Sequence, residues 1–206
     1  MLKKEYEILL PLIKQPWKGF TFKEVKKLSE KKSESYVYNS LKSFVKRGVL
    51  KEERVGNVVL YRLAIKSLKT QAYAGFAAEY VAWNQKHIPY RDLEKIAEKI
   101  PTSFYTFIIT GSYANKTQKK ESDIDVVLMV DDALETKQVY AELSHFCEMN
   151  IPKIHLYVFK KSEFLGMLID KKANYGKEIV KNNLLLFGAE NYYKIIGEAI
   201  ENGFNG

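Results

Sequence analysis

The chain has 206 residues, of which 46% are hydrophobic and 28% charged, a composition typical of a globular protein with one or two domains. Its apolar runs are far shorter than the roughly 20 residues that a membrane helix requires, and charges interrupt the N-terminal segment where an export signal needs a continuous apolar stretch. We therefore expect a cytoplasmic protein without a membrane span. The single cysteine, Cys147, excludes an internal disulfide, and its neighbours predict a buried position on a helix.

The net charge of +8 originates in the N-terminal third of the chain. Residues 1–66 contain 16 Lys and Arg against 7 Asp and Glu, whereas residues 67–206 contain 17 against 18. A basic segment beside a nearly neutral one indicates a polyanion partner for the first segment. A lysine-rich, solvated helical surface has the same composition, so charge alone leaves both interpretations open.

The first part of the chain contains signals for three helices. Apolar residues at helical spacing predict a helix from Lys4 to Lys14. Thr21 and Glu24 form a capping-box pattern for a second helix. The expected inner face of that helix consists of Phe22, Val25 and Leu28.

A third helix and a hairpin follow. Ser33 can cap the helix, and Gly48 lies at the position that typically ends one. Its expected inner face consists of Val37, Leu41, Phe44 and Val45. Gly56 and Asn57 then favour a tight turn between two short strands.

Three helices followed by a hairpin, over about the first 65 residues, resemble the winged helix-turn-helix family. The resemblance implies that the third helix enters the major groove of DNA and that the hairpin contacts the backbone. Lys and Arg neutralise phosphates, while Asn and Tyr hydrogen-bond to bases or backbone. Winged helices also serve as protein-binding modules. The candidate DNA-binding residues are Tyr38, Asn39, Lys42 and Lys46 on the helix, with Arg54 and Arg62 flanking the wing.

A long amphipathic helix is predicted from Ala64 to about Lys86. Two alternatives stay open for its apolar stripe: it packs within the chain, or it pairs with its counterpart in a homodimer. The domain organisation that we expect is a winged helix-turn-helix over 1–66, a connecting helix over 67–90 and a further domain over 91–206. The stripe consists of Ile65, Leu68, Ala72, Phe76, Tyr80 and Trp83.

Two strand signals later in the chain frame a group of polar residues. The run from Phe104 to Thr110 leads directly into Gly111-Ser112, and Ser122-Asp123-Ile124-Asp125 leads into the apolar run Val126 to Val130. Residues two apart in an extended chain share a face, so the two aspartates present adjacent carboxylates. Such a pair favours a divalent cation, typically Mg²⁺. The glycine permits close backbone approach, and the serine can hold phosphate oxygens.

Gly111-Ser112, ten intervening residues and Asp123-Ile124-Asp125 resemble the signature of the DNA polymerase beta-like nucleotidyltransferase superfamily, especially its minimal, MNT-type members. The resemblance covers roughly Leu93 to Phe159. It implies an α/β (α+β) fold with a mixed sheet and flanking helices. Asp123 and Asp125 would be the catalytic, Mg²⁺-binding residues, and Gly111 and Ser112 would bind the phosphates of a nucleoside triphosphate.

The activity that the resemblance implies is attack of an acceptor hydroxyl on the α-phosphorus, with transfer of a nucleoside monophosphate and release of pyrophosphate. MNT-type members often act with a HEPN-type protein partner, which they adenylylate. Lysines in the intervening loop, beside Tyr113, are candidates for phosphate contacts, although a solvated loop explains most of them. These are Lys116, Lys119 and Lys120.

The chain departs from the family pattern at a third carboxylate. After a helix expected from about Asp132 to Met149, the corresponding strand, Lys153 to Phe159, has His155 and Tyr157 at the relevant positions, and Glu163 lies beyond its end. The two carboxylates suffice to bind a nucleotide. The missing third carboxylate weakens the case for transfer of a nucleoside monophosphate.

The alternative function is therefore a catalytically lapsed, nucleotide-sensing DNA-binding transcriptional regulator. A scaffold that dimerises through its winged helix is a third possibility. For Ser162 to Gly206 we expect helices that pack on the sheet and a short strand before Gly188, without chemistry of their own.

Overall fold

The computed structural model describes residues 4–206, and the predictions for residues 1–3 lie outside this range. The chain divides into two compact units, one formed by residues up to Tyr80 together with Glu190–Gly206 and the other by Val81–Ala189. The C-terminal segment therefore groups with the N-terminal one, a division that differs from the boundaries expected at residues 66 and 90, which concern function and stay predictions.

The first unit begins with a 3-10 turn, Lys4–Ile8, and contains three short helices before its hairpin. Its three-stranded sheet has the order β1-β3-β2 with antiparallel pairing throughout. The elements are α1 (Leu10–Lys14), β1 (Phe20–Thr21), α2 (Phe22–Leu28), α3 (Glu34–Lys46), β2 (Leu50–Val55), β3 (Val58–Leu63), most of α4 (Leu68–Ala82), and α10 (Ala189–Glu201) from its second residue.

Local signals in this unit are largely confirmed. Thr21 and Glu24 form the expected capping box at the start of α2, and Ser33 accepts a hydrogen bond from the backbone of Tyr36 at the start of α3. Gly48 has a φ of 72° just after α3, and the turn between β2 and β3 has the expected two residues. Leu28 contradicts its prediction: it lies at the last residue of α2 and is 54% exposed.

The inner face of α3 follows the expected spacing, since Val37, Leu41 and Phe44 are fully buried. Ser40 is buried with them, and Val45 is only half-buried. The remaining face of α3 lies in solvent, and it carries the candidate DNA-binding residues Tyr38, Asn39, Lys42 and Lys46.

The stripe predicted for α4 is not buried within the chain at Leu68 and Phe76, so only the homodimer alternative stays a prediction for these two residues. Leu68 and Phe76 are 78% and 56% exposed, and the helix ends at Ala82 rather than near residue 86. The helix instead buries small and polar residues, because these allow close approach and can satisfy the neighbouring backbone. Thr70 donates a hydrogen bond to the carbonyl of Val49, and Gln71 donates one to the carbonyl of Ile65.

The second unit contains a four-stranded sheet with the order β6-β5-β4-β7. β5 pairs antiparallel with β4 and parallel with β6, so the sheet is mixed, as expected. The parallel pair requires a crossover, which α7 supplies. The elements are α5 (Tyr90–Ala97), β4 (Tyr105–Thr110), α6 (Gly111–Asn115), β5 (Ile124–Val130), α7 (Thr136–Met149), β6 (Ile154–Lys160), α8 (Lys161–Ile169), α9 (Tyr175–Lys181) and β7 (Leu184–Phe187).

The core of the second unit lies between the sheet and helices α5 and α7. Leu93 and Leu143 from these helices are fully buried with Val126 and Leu128 of β5, and Cys147 is buried on α7 as predicted. Helix α7 begins at Thr136, because residues 131–135 form a turn instead of the expected first helical residues. The strand predicted before Gly188 is confirmed as β7. Across residues 4–206, no helix is long and apolar enough to cross a membrane.

Candidate functional site

The two aspartates lie at the start of β5, in the middle of the sheet. Asp125 is paired in register with Thr110 at the end of β4 on one side and with His155 near the start of β6 on the other. Asp123 immediately precedes β5, two residues away. We call Gly111, Ser112, Asp123, Asp125 and His155 the aspartate site.

Gly111 joins β4 to α6 in a conformation that other residues adopt poorly, with a φ of 64°. A Cβ atom at this position would overlap Oδ2 of Asp125 and lie 3.1 Å from its Cγ. The absence of a side chain therefore lets the Asp125 carboxylate approach the backbone that carries Ser112. The role predicted for Gly111, close approach of its backbone to phosphates, stays a prediction.

Asn182 supports this turn from the far end of the second unit. Its Nδ2 donates a hydrogen bond of 2.8 Å to the carbonyl of Gly111, and its own carbonyl accepts one of 2.7 Å from the Thr110 hydroxyl. Sequence reasoning missed this residue and found no chemistry after residue 162. The contact spans 71 positions, and nothing in the local sequence around Asn182 indicates it.

Ser112 lies in the first turn of α6 and is half-buried. Its carbonyl accepts backbone hydrogen bonds from Lys116 and Thr117, which close the end of the short helix. Within residues 4–206 its hydroxyl has no hydrogen-bond partner, so it is available to a ligand. Lys116, Lys119 and Lys120 are all exposed in the loop that follows.

The electrostatics of the site reflect two like charges in a partly buried place. The side chains of Asp123 and Asp125 are 38% and 28% exposed. Burial raises the pKa of Asp125 above its ordinary value, the charge of Asp123 adds to the increase, and His155 opposes it. Burial and the charge of Asp123 likewise raise the pKa of Tyr113. A bound cation would therefore stabilise the charges of the two aspartates.

His155 contacts both aspartates. Its Nε2 lies 3.1 Å from Oδ2 of Asp123, and its Nδ1 lies 3.6 Å from Oδ1 of Asp125. Sequence reasoning identified the position but not these contacts. Glu163 is engaged elsewhere, since its carboxylate accepts a hydrogen bond from the backbone of Lys160. Among residues 4–206, no group of three or more His, Cys, Asp or Glu side chains is arranged to hold a metal ion.

Two tyrosines continue the face of the sheet that carries His155. Tyr157 follows two residues later on β6 and is 38% exposed, and its ring centroid lies 4.8 Å from that of Tyr175 at the start of α9. Burial, together with nearby Tyr157 and Asp125, raises the pKa of Tyr175 well above its usual range. Tyr175 is a second residue that the sequence did not indicate, because only the fold brings α9 to this face.

The candidate DNA-binding residues all lie on the first unit, but they differ in their contacts. Lys42 donates to Glu52 at 2.6 Å, which raises the pKa of the lysine, and half-buried Arg62 contacts Glu53 at 2.6 Å. Tyr38 is 49% exposed and lies against Phe22 and Lys42. The candidates that are exposed and whose side chains form no hydrogen bond or ion pair within residues 4–206 are Asn39, Lys46 and Arg54.

A comparison with known protein families matches a segment that contains this site. A family model described as a nucleotidyltransferase domain matches residues 92–185, just under half of the chain. The matched segment includes the whole aspartate site and also Asn182. No curated protein matches the chain.

A solved structure described as a toxin-antitoxin with AMP-PNP is 15% identical to this chain. The similar region covers 55% of this chain and 86% of that one, with a TM-score of 0.40, a level of likeness from which we draw no conclusion. The family match and the mixed sheet support a nucleotidyltransferase domain over residues 92–185.

Proposed function

We propose that this chain is a Mg²⁺-dependent nucleotidyltransferase that transfers a nucleoside monophosphate from a nucleoside triphosphate to an acceptor hydroxyl. The observation that carries the proposal is the position of Asp123 and Asp125 beside Gly111 and Ser112, inside the segment that matches a nucleotidyltransferase domain. Carboxylate oxygens next to an open backbone turn are suited to bind a triphosphate together with its cation.

The residues present fit a divalent cation. Asp123 and Asp125 offer oxygen ligands that are partly exposed, and the raised pKa of Asp125 reflects a charge that a cation would stabilise. When bound, the cation neutralises phosphate charge and makes the α-phosphorus easier to attack. The chain's own part is to hold the two carboxylates in place and to present the Ser112 hydroxyl to the phosphates.

A nucleotide-sensing regulator without turnover is the second candidate function, and one observation favours it. The place expected for the family's third carboxylate contains His155, which provides no acidic oxygen. In this candidate Asp123 and Asp125 bind the nucleotide, and binding alters the first unit rather than leading to transfer.

The first unit is proposed to bind DNA in either case. Its excess of positive charge and the exposed face of α3 support this, as do the exposed Lys46 and Arg54. The order of its elements resembles that of a winged helix-turn-helix, and this resemblance supports the proposal.

Protein partners form a further part of the proposal. The exposed Leu68 and Phe76 on α4 favour a homodimer, because exposed apolar side chains along one helix are typical of a protein interface. A HEPN-type acceptor protein follows from the family resemblance.

Incubation with Mg²⁺, cell extract and each α-labelled nucleoside triphosphate tests the proposal. We expect label transfer by the wild type and none by Asp123→Asn or Asp125→Asn. Asp131→Asn is the matched control, since Asp131 is exposed just after β5 and its carboxylate contacts no other residue in the described range. Calorimetry separates the two candidates: nucleotide binding without transfer favours the regulator, and unchanged binding in both site variants contradicts the site.

A further inference from the structure

The imidazole of His155 lies across the two carboxylates of the aspartate site. It approaches Asp123 through Nε2 at 3.1 Å and Asp125 through Nδ1 at 3.6 Å. Its position is fixed by the register of β6, which places His155 directly beside Asp125. Both contacts lie within the distance of an ion pair or a polar contact, so the ring lies against both carboxylates.

His155 approaches the two aspartates through two different nitrogens, and this geometry bears on whether the ring can act as a metal ligand. The lone pairs of the imidazole nitrogens point in different directions, so one cation cannot accept both. For His155 to act as a third ligand, one nitrogen would have to face both carboxylates. In this arrangement the ring instead lies close to Oδ2 of Asp123 and to Oδ1 of Asp125 through different nitrogens.

The ring also has space to leave. The His155 side chain is 46% exposed, and β6 is an edge strand of the sheet. A cavity of about 290 Å³ beside β6 is lined by His155, Tyr157 and Tyr140. A change of side-chain rotamer therefore releases both carboxylates without moving the strand.

On the basis of the proposed function of this site, we propose that His155 is an internal occupant of the cation position, which a divalent cation must displace. The free protein then binds the cation alone only weakly. Tight binding requires a triphosphate, whose oxygens add the ligands that two carboxylates lack. His155 thereby makes the site selective for the cation–nucleotide complex over the free cation.

The test is the affinity of nucleotide-free protein for Mn²⁺, used as the probe, by calorimetry and electron paramagnetic resonance at one fixed pH. We expect His155→Ala to bind Mn²⁺ at least about fivefold more tightly than wild type, because the ring no longer competes with the cation for the two carboxylates. His155→Asp adds a carboxylate and is expected to bind more tightly still. His145→Ala, at an exposed histidine on α7, is the control and is expected to leave the affinity unchanged.

Weaker Mn²⁺ binding by His155→Ala would identify the ring as a ligand and overturn the inference, and so would an unchanged affinity. Either result leaves the proposed function standing if Asp123→Asn abolishes binding in the same assay. If Asp123→Asn binds Mn²⁺ as well as wild type does, the proposed function and this inference both fail. Circular dichroism of each variant ensures that the comparison is made between folded proteins.

Discussion

Both compact units have exposed ion pairs, but they differ in one group of charges. In the first unit, basic and acidic side chains form pairs on the surface: Lys18 with Glu24, Lys42 with Glu52 and Arg62 with Glu53. In the second unit, the chain places two aspartates side by side at the start of a central strand, with a histidine of the neighbouring strand close to both.

The comparison shows how each group of charges affects the stability of the fold. Exposed ion pairs contribute roughly 0–1 kcal/mol each, so the first unit would lose little if one were removed. Burial above all, with a smaller contribution from the charge of Asp123, raises the pKa of Asp125, which means that the ionised carboxylate costs free energy. The fold keeps this unfavourable charge beside the turn at Gly111, which indicates that the two aspartates have a functional role.

Gly111→Ala gives the largest expected effect, because it introduces a side chain where the Asp125 carboxylate lies. The left-handed backbone costs about 1–2 kcal/mol for a residue other than glycine. Displacement of the carboxylate is expected to weaken nucleotide binding by more than about tenfold, which is the equivalent of 1.4 kcal/mol. Denaturant unfolding and calorimetry measure the two effects separately.

Gly48→Ala is the matched control from the first unit. Gly48 also has a left-handed backbone, with a φ of 72°, but a Cβ atom there would meet nothing within 4 Å. This variant is expected to show the loss of stability alone, with full nucleotide binding. If both variants bind nucleotide equally well, the contact between Gly111 and Asp125 has no part in the site.

The sequence predicted the first unit well where the signal is local. Thr21, Ser33 and Gly48 act within three or four residues of their own positions, so their effect can be recognised without the fold. For α4, apolar spacing indicated an apolar stripe but not which face of the helix is buried within the chain. Contacts to the backbone of Val49 and Ile65 decide that, and they depend on tertiary packing.

The aspartate site was predicted only in part, for the same reason. Gly111, Ser112 and the two aspartates follow strands directly, and the strand ends bring them together. Asn182 lies 71 positions from Gly111, and the contacts of His155 depend on the parallel register of β6. The sequence indicated that His155 replaces a carboxylate, but only the fold shows that its ring touches both remaining ones.

The capping box of α2 provides a smaller effect that lies wholly within the first unit. Thr21→Ala is expected to cost about 1 kcal/mol of unfolding free energy, because a helix N–H loses its acceptor. Thr136→Ala is the control, since Thr136 begins α7, where no side chain caps the helix. A similar loss in both variants would show that the cap contributes nothing.

Glu24 adds a pH dependence to this cap. The backbone N–H of Thr21 is the main cause that holds its pKa below the ordinary value of a glutamate, with Lys18 contributing. A lowered pKa stabilises the folded state above the ordinary pKa, and this contribution is lost as the pH falls through the folded value. The stability difference between wild type and Glu24→Gln is therefore expected to be present at neutral pH and to shrink towards zero in acid. A difference that grows in acid would contradict the assignment.

The smallest expected effect concerns single lysines on α3. It tests whether the surface ion pairs of the first unit leave any positive charge free to bind DNA. Lys46 is exposed without a partner in the described range, whereas Lys42 is paired with Glu52. Lys46→Ala is expected to reduce the slope of log affinity against log salt by about 1, because one phosphate contact is lost. Lys42→Ala should reduce it less, since Glu52 already neutralises that lysine.

Fluorescence anisotropy with duplex DNA over a salt series measures the slopes, and Lys137→Ala, at an exposed lysine of the second unit, should leave the slope unchanged. Equal slopes for wild type and Lys46→Ala would exclude this face of α3 as the DNA-binding surface.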